Sequence, residues 1–338
     1  MDCLSRHRRR TFAARDRRTG DMNEQSDDVR NNDPQNDGMH DDAVRASDAL
    51  SRRAMLGALA GGVVGGAIGV RALWPRTAMA AEPHALDARH TRIDRIGLQL
   101  YTVRRAMATD LEGTIAAVAR AGVTELEFAG YYNKDAAWWK ALLKQHGLTA
   151  PATHEALPAT DDGWGAVFDR ANAMGHRYVI VPSVNNEYRG SRANWQRLAE
   201  RLNTGATRAK AAGLSFAYHN HDYEFTPVDG TTGYEILTTQ TDPAVMKLEL
   251  DLYWAVKAGH DPLAIIARWP GRVVACHVKD AGPPPERVMM DVGAGTIDFK
   301  SILTKGRASG LAHWFIEHDN PTDPLASVKA SAAALKAL

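Results

Sequence analysis

Four histidine or acidic residues in the second half of the chain each come at the end of a short apolar run. They are His219, Asp251, His277 and Glu317. Imidazole and carboxylate donors together suit Mn, Zn, Fe or Co better than Ca or Mg. Taken singly, a histidine at such a position is most often a hydrogen-bonded core residue, and Asp251 alone is a common helix cap. As a set, the four residues predict a site for a divalent metal cation.

Further ionisable residues end apolar runs in the same way, among them Glu127, His154 and Lys279. Because buried charge is unfavourable unless it is compensated, we expect these groups to share a partner, and a cation is the simplest one. His221 is an alternative to His219 as the ligand, since two residues that are two positions apart share one face of a strand.

Eight strand-like runs alternate with amphipathic segments from Ile96 onward. The predicted strands are Ile96–Tyr101, Glu125–Phe128, Thr149–His154, Tyr178–Val181, Ser215–His219, Met246–Asp251, Val273–Val278 and Trp314–Glu317. The clearest predicted helices are Leu111–Ala121, Ala136–His146, Trp164–Met174, Trp195–Ala212, Pro262–Trp269 and Leu325–Leu335. This alternation predicts one α/β domain over residues 92–338, folded as a (β/α)8 TIM barrel whose active site lies at the C-terminal ends of the strands. An open doubly wound sheet is the alternative, but no glycine-rich turn follows the first strand.

The N-terminal segment differs in composition from the rest. Residues 1–50 are rich in Arg, Asp, Asn and Ser and lack apolar periodicity, so we predict that they are disordered. Arg52 and Arg53 precede a Gly/Ala-rich apolar run, and residues 78–80 fit an A-x-A cleavage site. Residues 51–80 therefore resemble a twin-arginine signal, which predicts recognition by the twin-arginine export machinery and a periplasmic or otherwise exported protein. An uncleaved membrane anchor is the alternative.

Charge and cysteine content narrow the function classes further. The formal net charge is +1, and much of the basic excess lies near the N-terminus, as at Arg8, Arg9 and Arg10. No basic stripe interleaved with aromatic residues follows, so we do not expect nucleic-acid binding. Of the two cysteines, only Cys276 lies beyond the predicted signal, which excludes an internal disulfide in a mature chain.

The predicted barrel contains five short motifs, namely Gly97–Arg104, Tyr218–His221, Leu248–Asp251, His277–Asp280 and Asp291–Gly295. As a set they resemble the sugar phosphate isomerase/epimerase family, which belongs to the xylose isomerase-like barrels. The resemblance extends from about Ile96 to the C-terminus. It implies a metal held by Glu, Asp, His and Glu from strands five to eight, with Asp251, His277 and Glu317 at the last three positions. Strand five departs from this pattern, because it offers His219 or His221 instead of glutamate.

The resemblance implies an enzyme that removes a proton next to a substrate carbonyl through a metal-stabilised enediolate, as a sugar isomerase or epimerase does. Glu317 or His221 would be the base. Lys279 would stabilise negative charge or protonate a departing oxygen, unless it is a surface lysine. The residues expected to line the substrate pocket are Gln99, Glu127, His154 and Trp254.

The departure at strand five disfavours an epimerisation that uses two symmetric carboxylates, and it favours isomerisation or elimination. Export favours an unphosphorylated sugar or keto-sugar as substrate. On a 3-keto-glycoside the same chemistry would expel the glycosidic group, which would make the enzyme a lyase. A non-catalytic sugar-binding barrel, without a complete metal set, is the alternative from another class. Related barrels are often dimers, so a homodimer is compatible with the resemblance.

Overall fold

A computed structural model describes Ile93 and residues 95–338 of the chain. The predicted disordered region, residues 1–50, and the predicted twin-arginine signal, residues 51–80, lie outside the described residues. Within the described part, no helix combines the length and the apolar character that are needed to cross a membrane.

Eight parallel strands form a closed barrel, which confirms the predicted (β/α)8 TIM fold. The strands are β1 (Gly97–Gln99), β2 (Glu125–Phe128), β3 (Thr149–His154), β4 (Tyr178–Val181), β5 (Ser215–His219), β6 (Met246–Asp251), β7 (Val273–Val278) and β8 (His313–Ile316). Each strand pairs with its neighbours in sequence, and β1 closes the barrel by pairing Gly97 with Phe315 of β8. Closure leaves no barrel strand with an unpaired edge.

Ten α-helices lie among the described residues. They are α1 (Arg104–Thr109), α2 (Leu111–Arg120), α3 (Ala136–His146), α4 (Trp164–Met174), α5 (Arg192–Ala211), α6 (Gly233–Gln240), α7 (Leu252–Lys257), α8 (Pro262–Arg268), α9 (Phe299–Ala308) and α10 (Pro324–Lys336). Asp135 caps α3 by accepting a hydrogen bond from Trp138 N, and Ser191 caps α5 in the same way. Gly147 ends α3 with φ of 64°, a left-handed conformation that glycine adopts without steric strain.

The barrel interior changes from apolar to ionisable along the strands. Successive strand residues point in opposite directions, so every second side chain faces inward. An apolar cluster fills the middle: Ala152, Tyr178, Ile180, Ala217, Ala275 and Phe315. At the N-terminal end of the strands, Glu125 pairs with His313 at 2.9 Å. At the C-terminal end the inward side chains are mainly histidines and acids, so the ionisable residues collect at that mouth.

The first and last strands differ from their predicted bounds, whereas the other six agree. β1 ends at Gln99 because Leu100–Val103 form a 3-10 turn, and Oε1 of Gln99 caps that turn by accepting a hydrogen bond from Tyr101 N. β8 begins and ends one residue earlier than predicted, so Glu317 follows the strand.

Four helices were not predicted individually. Helices α1, α6 and α7 have eight residues or fewer, too short for a clear apolar period, and unlike the equally short α8 they have no proline at the first position to mark their start. Helix α9 contains Gly306, a poor helix former. A Cβ atom at Gly306 would lie 2.7 Å from Leu311 and 3.0 Å from Trp314, so close packing accounts for glycine there.

Candidate active site

Asp251, His277 and Glu317 meet at the C-terminal mouth of the barrel. Asp251 ends β6, His277 lies near the end of β7, and Glu317 follows β8. All three are buried, and their ligand atoms lie within 4.8 Å of one another. Nδ1 of His277 is 2.6 Å from Oε2 of Glu317 and 3.8 Å from Oδ2 of Asp251. The fold therefore brings three of the four predicted metal ligands into one cluster, which we call the upper group.

His219, the fourth predicted ligand, ends β5 and faces a carboxylate with each ring nitrogen. Its Nε2 atom is 3.7 Å from Oδ2 of Asp251, and its Nδ1 atom is 3.1 Å from Oε2 of Glu249. Burial lowers the pKa of His219 well below its usual value, and the neighbouring His277 acts in the same direction. The imidazole is therefore neutral at neutral pH, which is the form that binds metals.

Lys279 projects into the same mouth and contacts three carboxylates. Its Nζ atom lies 3.0 Å from Asp251, 2.7 Å from Glu317 and 2.7 Å from Asp319. Burial lowers the pKa of Lys279, but these acids outweigh burial and hold that pKa well above its usual value. Because the residue is only 1% exposed, Lys279 is a buried cation rather than a surface lysine.

A second cluster, which we call the lower group, contains His154, His219, Glu249 and His277, with ligand atoms that also lie within 4.8 Å of one another. Oε2 of Glu249 is 2.8 Å from His154 Nε2 and 3.1 Å from His277 Nε2. Glu249 was not among the predicted site residues. The available signal was its position two residues before Asp251, which places both acids on the inward face of β6.

Gln99 and Glu127, predicted to line the substrate pocket, are fully buried beside the lower group. Oε2 of Glu127 accepts a hydrogen bond from Gln99 Nε2 at 2.8 Å and lies 2.6 Å from His277 Nε2. Burial raises the pKa of Glu127, but His154 and His277 outweigh it and hold the pKa well below its usual value. Burial lowers the pKa of His154, but Glu127 and Glu249 raise it to about 9. The lower group is therefore an ion-paired network.

His221 and Trp254 lie together at the mouth, with ring centroids 5.5 Å apart. His221 also stacks on Tyr223 at 5.6 Å. Burial lowers the pKa of His221 to about 3, and Lys279 acts in the same direction. The buried Nδ1 atom of His221 and the buried Nε1 atom of Trp254 have no hydrogen-bond partner. Both atoms are therefore hydrogen-bonding groups that the described residues leave unused.

Asn220 and Glu224 hold the loop that follows His219 and carries His221, and neither was predicted. Oδ1 of Asn220 accepts a hydrogen bond from Asp251 N at 3.1 Å, which joins the loop to the end of β6. Glu224 accepts hydrogen bonds from His221 N at 2.8 Å and from the Tyr218 hydroxyl at 2.7 Å. Burial raises the pKa of Glu224 to about 7. Only the folded loop shows that this acid turns back into the protein.

Asp280, directly after Lys279, binds the glycine-rich motif Asp291–Gly295. Its Oδ2 atom accepts hydrogen bonds from Gly293 N and Gly295 N, both at 2.9 Å. A Cβ atom at Gly295 would lie 2.3 Å from Oδ1 of Asp280, so glycine is required for this close approach. The amides of both glycines in the motif are therefore occupied by an internal carboxylate.

The chain matches the family model of xylose isomerase-like TIM barrels over residues 115–338. It belongs to the xylose isomerase-like TIM barrel family. An inosose dehydratase from Lacticaseibacillus casei is 28% identical over 241 residues, covering 61% of this chain and 80% of the relative.

Two solved structures illustrate the barrel that this family member shares. A sugar phosphate isomerase/epimerase from Parabacteroides distasonis ATCC 8503 superposes with a TM-score of 0.64 at 24% identity, covering 78% of this chain and 98% of that one. The IOLI protein, whose crystal structure contains a zinc atom, superposes with a TM-score of 0.56 at 14% identity, covering 71% and 96%. At these identities the likeness concerns the fold.

The donor atoms of this xylose isomerase-like barrel suit a divalent transition metal. The upper group offers one imidazole and two carboxylates, and His219 Nε2 faces it from β5. Such mixed nitrogen and oxygen donors are typical of zinc and its neighbours. Oδ2 of Asp251 is buried, and Nζ of Lys279 contacts it at 3.0 Å. The negative charge of this oxygen faces Lys279, His219 and His277, and a bound cation would compensate the same charge.

Proposed function

We propose that this protein is a metal-dependent enzyme that removes a proton next to the carbonyl of a sugar-like substrate and then expels an oxygen leaving group, as a dehydratase or lyase does. The observation that carries this proposal is the contact between Glu317 and Lys279, 2.7 Å apart in one buried mouth. One is a carboxylate that accepts a proton, and the other is an ammonium group that donates one. The relative that is named inosose dehydratase supports elimination as the outcome.

The proposed metal ligands are Nε2 of His219, Oδ2 of Asp251, Nδ1 of His277 and Oε2 of Glu317. When bound, a divalent cation such as Mn, Zn, Fe or Co polarises the substrate carbonyl and stabilises the negative charge that develops on its oxygen. The zinc atom in the IOLI protein supports a metal in this fold.

Glu317 is the proposed base. Burial raises its pKa, but Lys279 and His277 outweigh burial and hold the pKa well below its usual value. The carboxylate is therefore ionised at neutral pH and can accept a proton. Lys279 is the proposed acid, because its ammonium group can donate a proton to the departing oxygen. Asp319, 2.7 Å from Nζ, keeps this ammonium group at the mouth.

An unphosphorylated sugar or keto-sugar, such as a 3-keto-glycoside or an inosose, is the proposed substrate. Gly293 and Gly295 of the motif Asp291–Gly295 donate their amides to Asp280 rather than to a phosphate group. Trp254 offers an aromatic face with a polar edge, which suits a sugar ring. The unpartnered nitrogens of His221 and Trp254 are suited to substrate hydroxyl groups.

Isomerisation or epimerisation is the second candidate, and the position of His221 favours it. A neutral imidazole at the same mouth as Glu317 can take part in moving a proton between neighbouring carbon atoms. In that case the substrate keeps its leaving group, and the product has the same mass as the substrate.

We propose in addition that the enzyme is exported through the twin-arginine machinery. This proposal rests on Arg52, Arg53 and the apolar run that follows them in sequence. Fractionation of cells that express the wild-type chain and an Arg52→Lys/Arg53→Lys variant tests it. If the variant protein is missing from the periplasmic fraction, the result supports export by this route. If the variant and the wild-type protein are distributed in the same way between the fractions, the result contradicts it.

Metal content is the first test of the catalytic proposal. Elemental analysis of the purified wild-type protein should find about one transition metal per chain, and an Asp251→Ala/His277→Ala variant should lose it. The wild type is then incubated with a 3-keto-glycoside or an inosose in deuterated water. Elimination releases a leaving group, and isomerisation incorporates deuterium without a loss of mass. A protein that holds no metal and exchanges no proton with either substrate would be a non-catalytic barrel.

A further inference from the structure

We infer that Glu127 and Glu249 are positioning residues, each of which accepts the ring proton of one metal-binding histidine. Glu127 accepts the proton on Nε2 of His277, and Glu249 accepts the proton on Nδ1 of His219. These contacts leave Nδ1 of His277 and Nε2 of His219 as the ligand atoms. The inference rests on the proposed metal centre and specifies which imidazole nitrogens it uses.

The imidazole of His277 has a carboxylate on each side. Its Nε2 atom lies 2.6 Å from Oε2 of Glu127, while its Nδ1 atom points to the upper group, 2.6 Å from Glu317. A histidine that binds a metal through one nitrogen usually donates its other N–H to a carboxylate or a carbonyl group, which sets the tautomer and the ring orientation. Glu127 occupies that position for His277.

His219 repeats this arrangement with the ring nitrogens exchanged. Its Nδ1 atom lies 3.1 Å from Oε2 of Glu249, and its Nε2 atom lies 3.7 Å from Oδ2 of Asp251. Glu249 and Asp251 are two residues apart on β6. This strand therefore supplies both a proposed metal ligand, Asp251, and the acid that orients His219, Glu249. The strand pairing places His219 directly beside Glu249.

The two glutamates are themselves held in place. Gln99 donates a hydrogen bond to Oε2 of Glu127 at 2.8 Å, and Nε2 of His154 lies 2.8 Å from Oε2 of Glu249. Glu127 is 0% exposed and Glu249 is 1% exposed, so water does not compete for these contacts. A network of this kind restricts rotation of the two imidazole rings before any cation arrives.

The rival possibility is that the lower group itself binds a cation. Its donors lie within 4.8 Å of one another, and Oε1 of both Glu127 and Glu249 lacks a hydrogen bond. Contacts of hydrogen-bond length occur in both groups, but in the lower group a single oxygen, Oε2 of Glu249, faces imidazole nitrogens of His154, His219 and His277 at 2.8 to 3.1 Å, as an acceptor shared by three N–H donors does. A cation on Nε2 of His277 would also force that ring to lose both protons if Nδ1 bound a second metal. We therefore assign protons, not a metal, to the lower group.

Cobalt titration of the full-length protein tests the inference, with absorbance giving both stoichiometry and affinity. We expect one Co²⁺ per chain in the wild type, and about 10- to 100-fold weaker binding in Glu127→Ala and Glu249→Ala. Glu249→Gln should recover part of the affinity, because its amide oxygen can still accept the ring proton. Glu125→Gln is the matched control, since Glu125 is also buried on β2 but pairs with His313 at the other end of the barrel.

Three results would overturn the inference. Unchanged cobalt affinity in both alanine variants would show that the two glutamates do not orient the ligands. Two Co²⁺ per chain, with one lost in Glu249→Ala, would make the lower group a metal site. A wild-type protein that binds no cobalt would overturn the proposed metal centre itself. This result differs from the first two, in which the wild-type protein binds cobalt.

A second measurement does not depend on the folding of any variant. Long-range ¹H–¹⁵N NMR of the zinc-loaded wild type shows which ring nitrogen of each histidine carries a proton. We expect a proton on Nε2 of His277 and on Nδ1 of His219. The opposite tautomer at both residues would overturn the assignment.

Discussion

Nδ1 of His277 lies 2.6 Å from Oε2 of Glu317, so two of the proposed metal ligands are in direct contact with each other. Such a distance requires a proton between the nitrogen and the oxygen. Burial lowers the pKa of His277, but the surrounding acids, Glu249 first among them, hold it well above its usual value. In the metal-free protein at neutral pH, the proton therefore resides on this imidazole.

Metal binding should consequently release protons. A cation can bind Nδ1 of His277 only after the shared proton has left, so about one proton per cation should appear in solution. Affinity should weaken as pH falls, because acid favours the protonated imidazole. Calorimetric titrations with Zn²⁺ in two buffers of different ionisation enthalpy measure the number released. Identical binding enthalpies in both buffers would contradict the predicted release.

Replacing Glu317 by Gln should leave the barrel folded while lowering kcat/KM by about 10²- to 10⁴-fold. The amide has nearly the same shape but cannot act as a base at neutral pH. Because Glu317 is also a proposed ligand, the metal content of the variant must be measured beside its rate. A metal-loaded variant with an unchanged rate would exclude Glu317 as the base.

Glu224 should make stability depend on pH. Burial raises its pKa from 4.5 to about 7, so between these values the folded protein keeps a proton that the unfolded chain has released. The contribution of Glu224 to stability is therefore complete below pH 4.5 and decreases by about 3 kcal/mol as pH rises through 7.

Urea unfolding of the wild type and Glu224→Gln at several pH values measures this dependence. The glutamine is neutral throughout and can still accept a hydrogen bond from His221 N and donate one to the Tyr218 hydroxyl. The difference in free energy of unfolding between the two proteins should therefore change with pH in the predicted window. Parallel curves for wild type and variant would show that Glu224 does not titrate there.

Asp280 should hold the loop between β7 and α9 in place. Its two carboxylate oxygens accept four backbone hydrogen bonds, from Ala281, Gly293, Gly295 and Ile297. An Asp280→Asn side chain would turn an NH2 group toward two of these donors, at a cost of about 1.5 to 3 kcal/mol for each charged hydrogen bond that is lost.

Hydrogen exchange resolved along the chain reports this effect. Amides over residues 281–297 should exchange faster in Asp280→Asn, whereas exchange over β2 and β3 should not change. Asp135→Asn is a suitable control, because asparagine is an equally good cap for α3. If the loop amides of the Asp280 variant exchange as slowly as those of the wild type, contacts other than Asp280 hold the loop in place.

The fold could be predicted from the sequence because the features that indicate its strands and helices are local. Runs such as Tyr178–Val181 and Val273–Val278 are buried strands in themselves, and glycines such as Gly147 mark where helices end. The regular order of strand and helix then leaves a closed parallel barrel as the favoured solution. Local signals also have limits, since α7 has only six residues and was not predicted.

Asp251, His277 and Glu317 could also be predicted as site residues, since each comes at or near the end of a strand and a barrel brings its strand ends together at one mouth. The distances between them and their contact partners could not be predicted. Glu249 and Glu127 lie only two positions and one position from a predicted strand end, yet sequence does not show that they reach the histidines of other strands. Which nitrogen of His277 faces which acid depends on strand register and ring rotation, and these are set by packing across the whole barrel. Local chemistry thus determined the elements and the residue types of this site, whereas the contacts between distant strands decided which of those residues form the proposed metal centre and which support it.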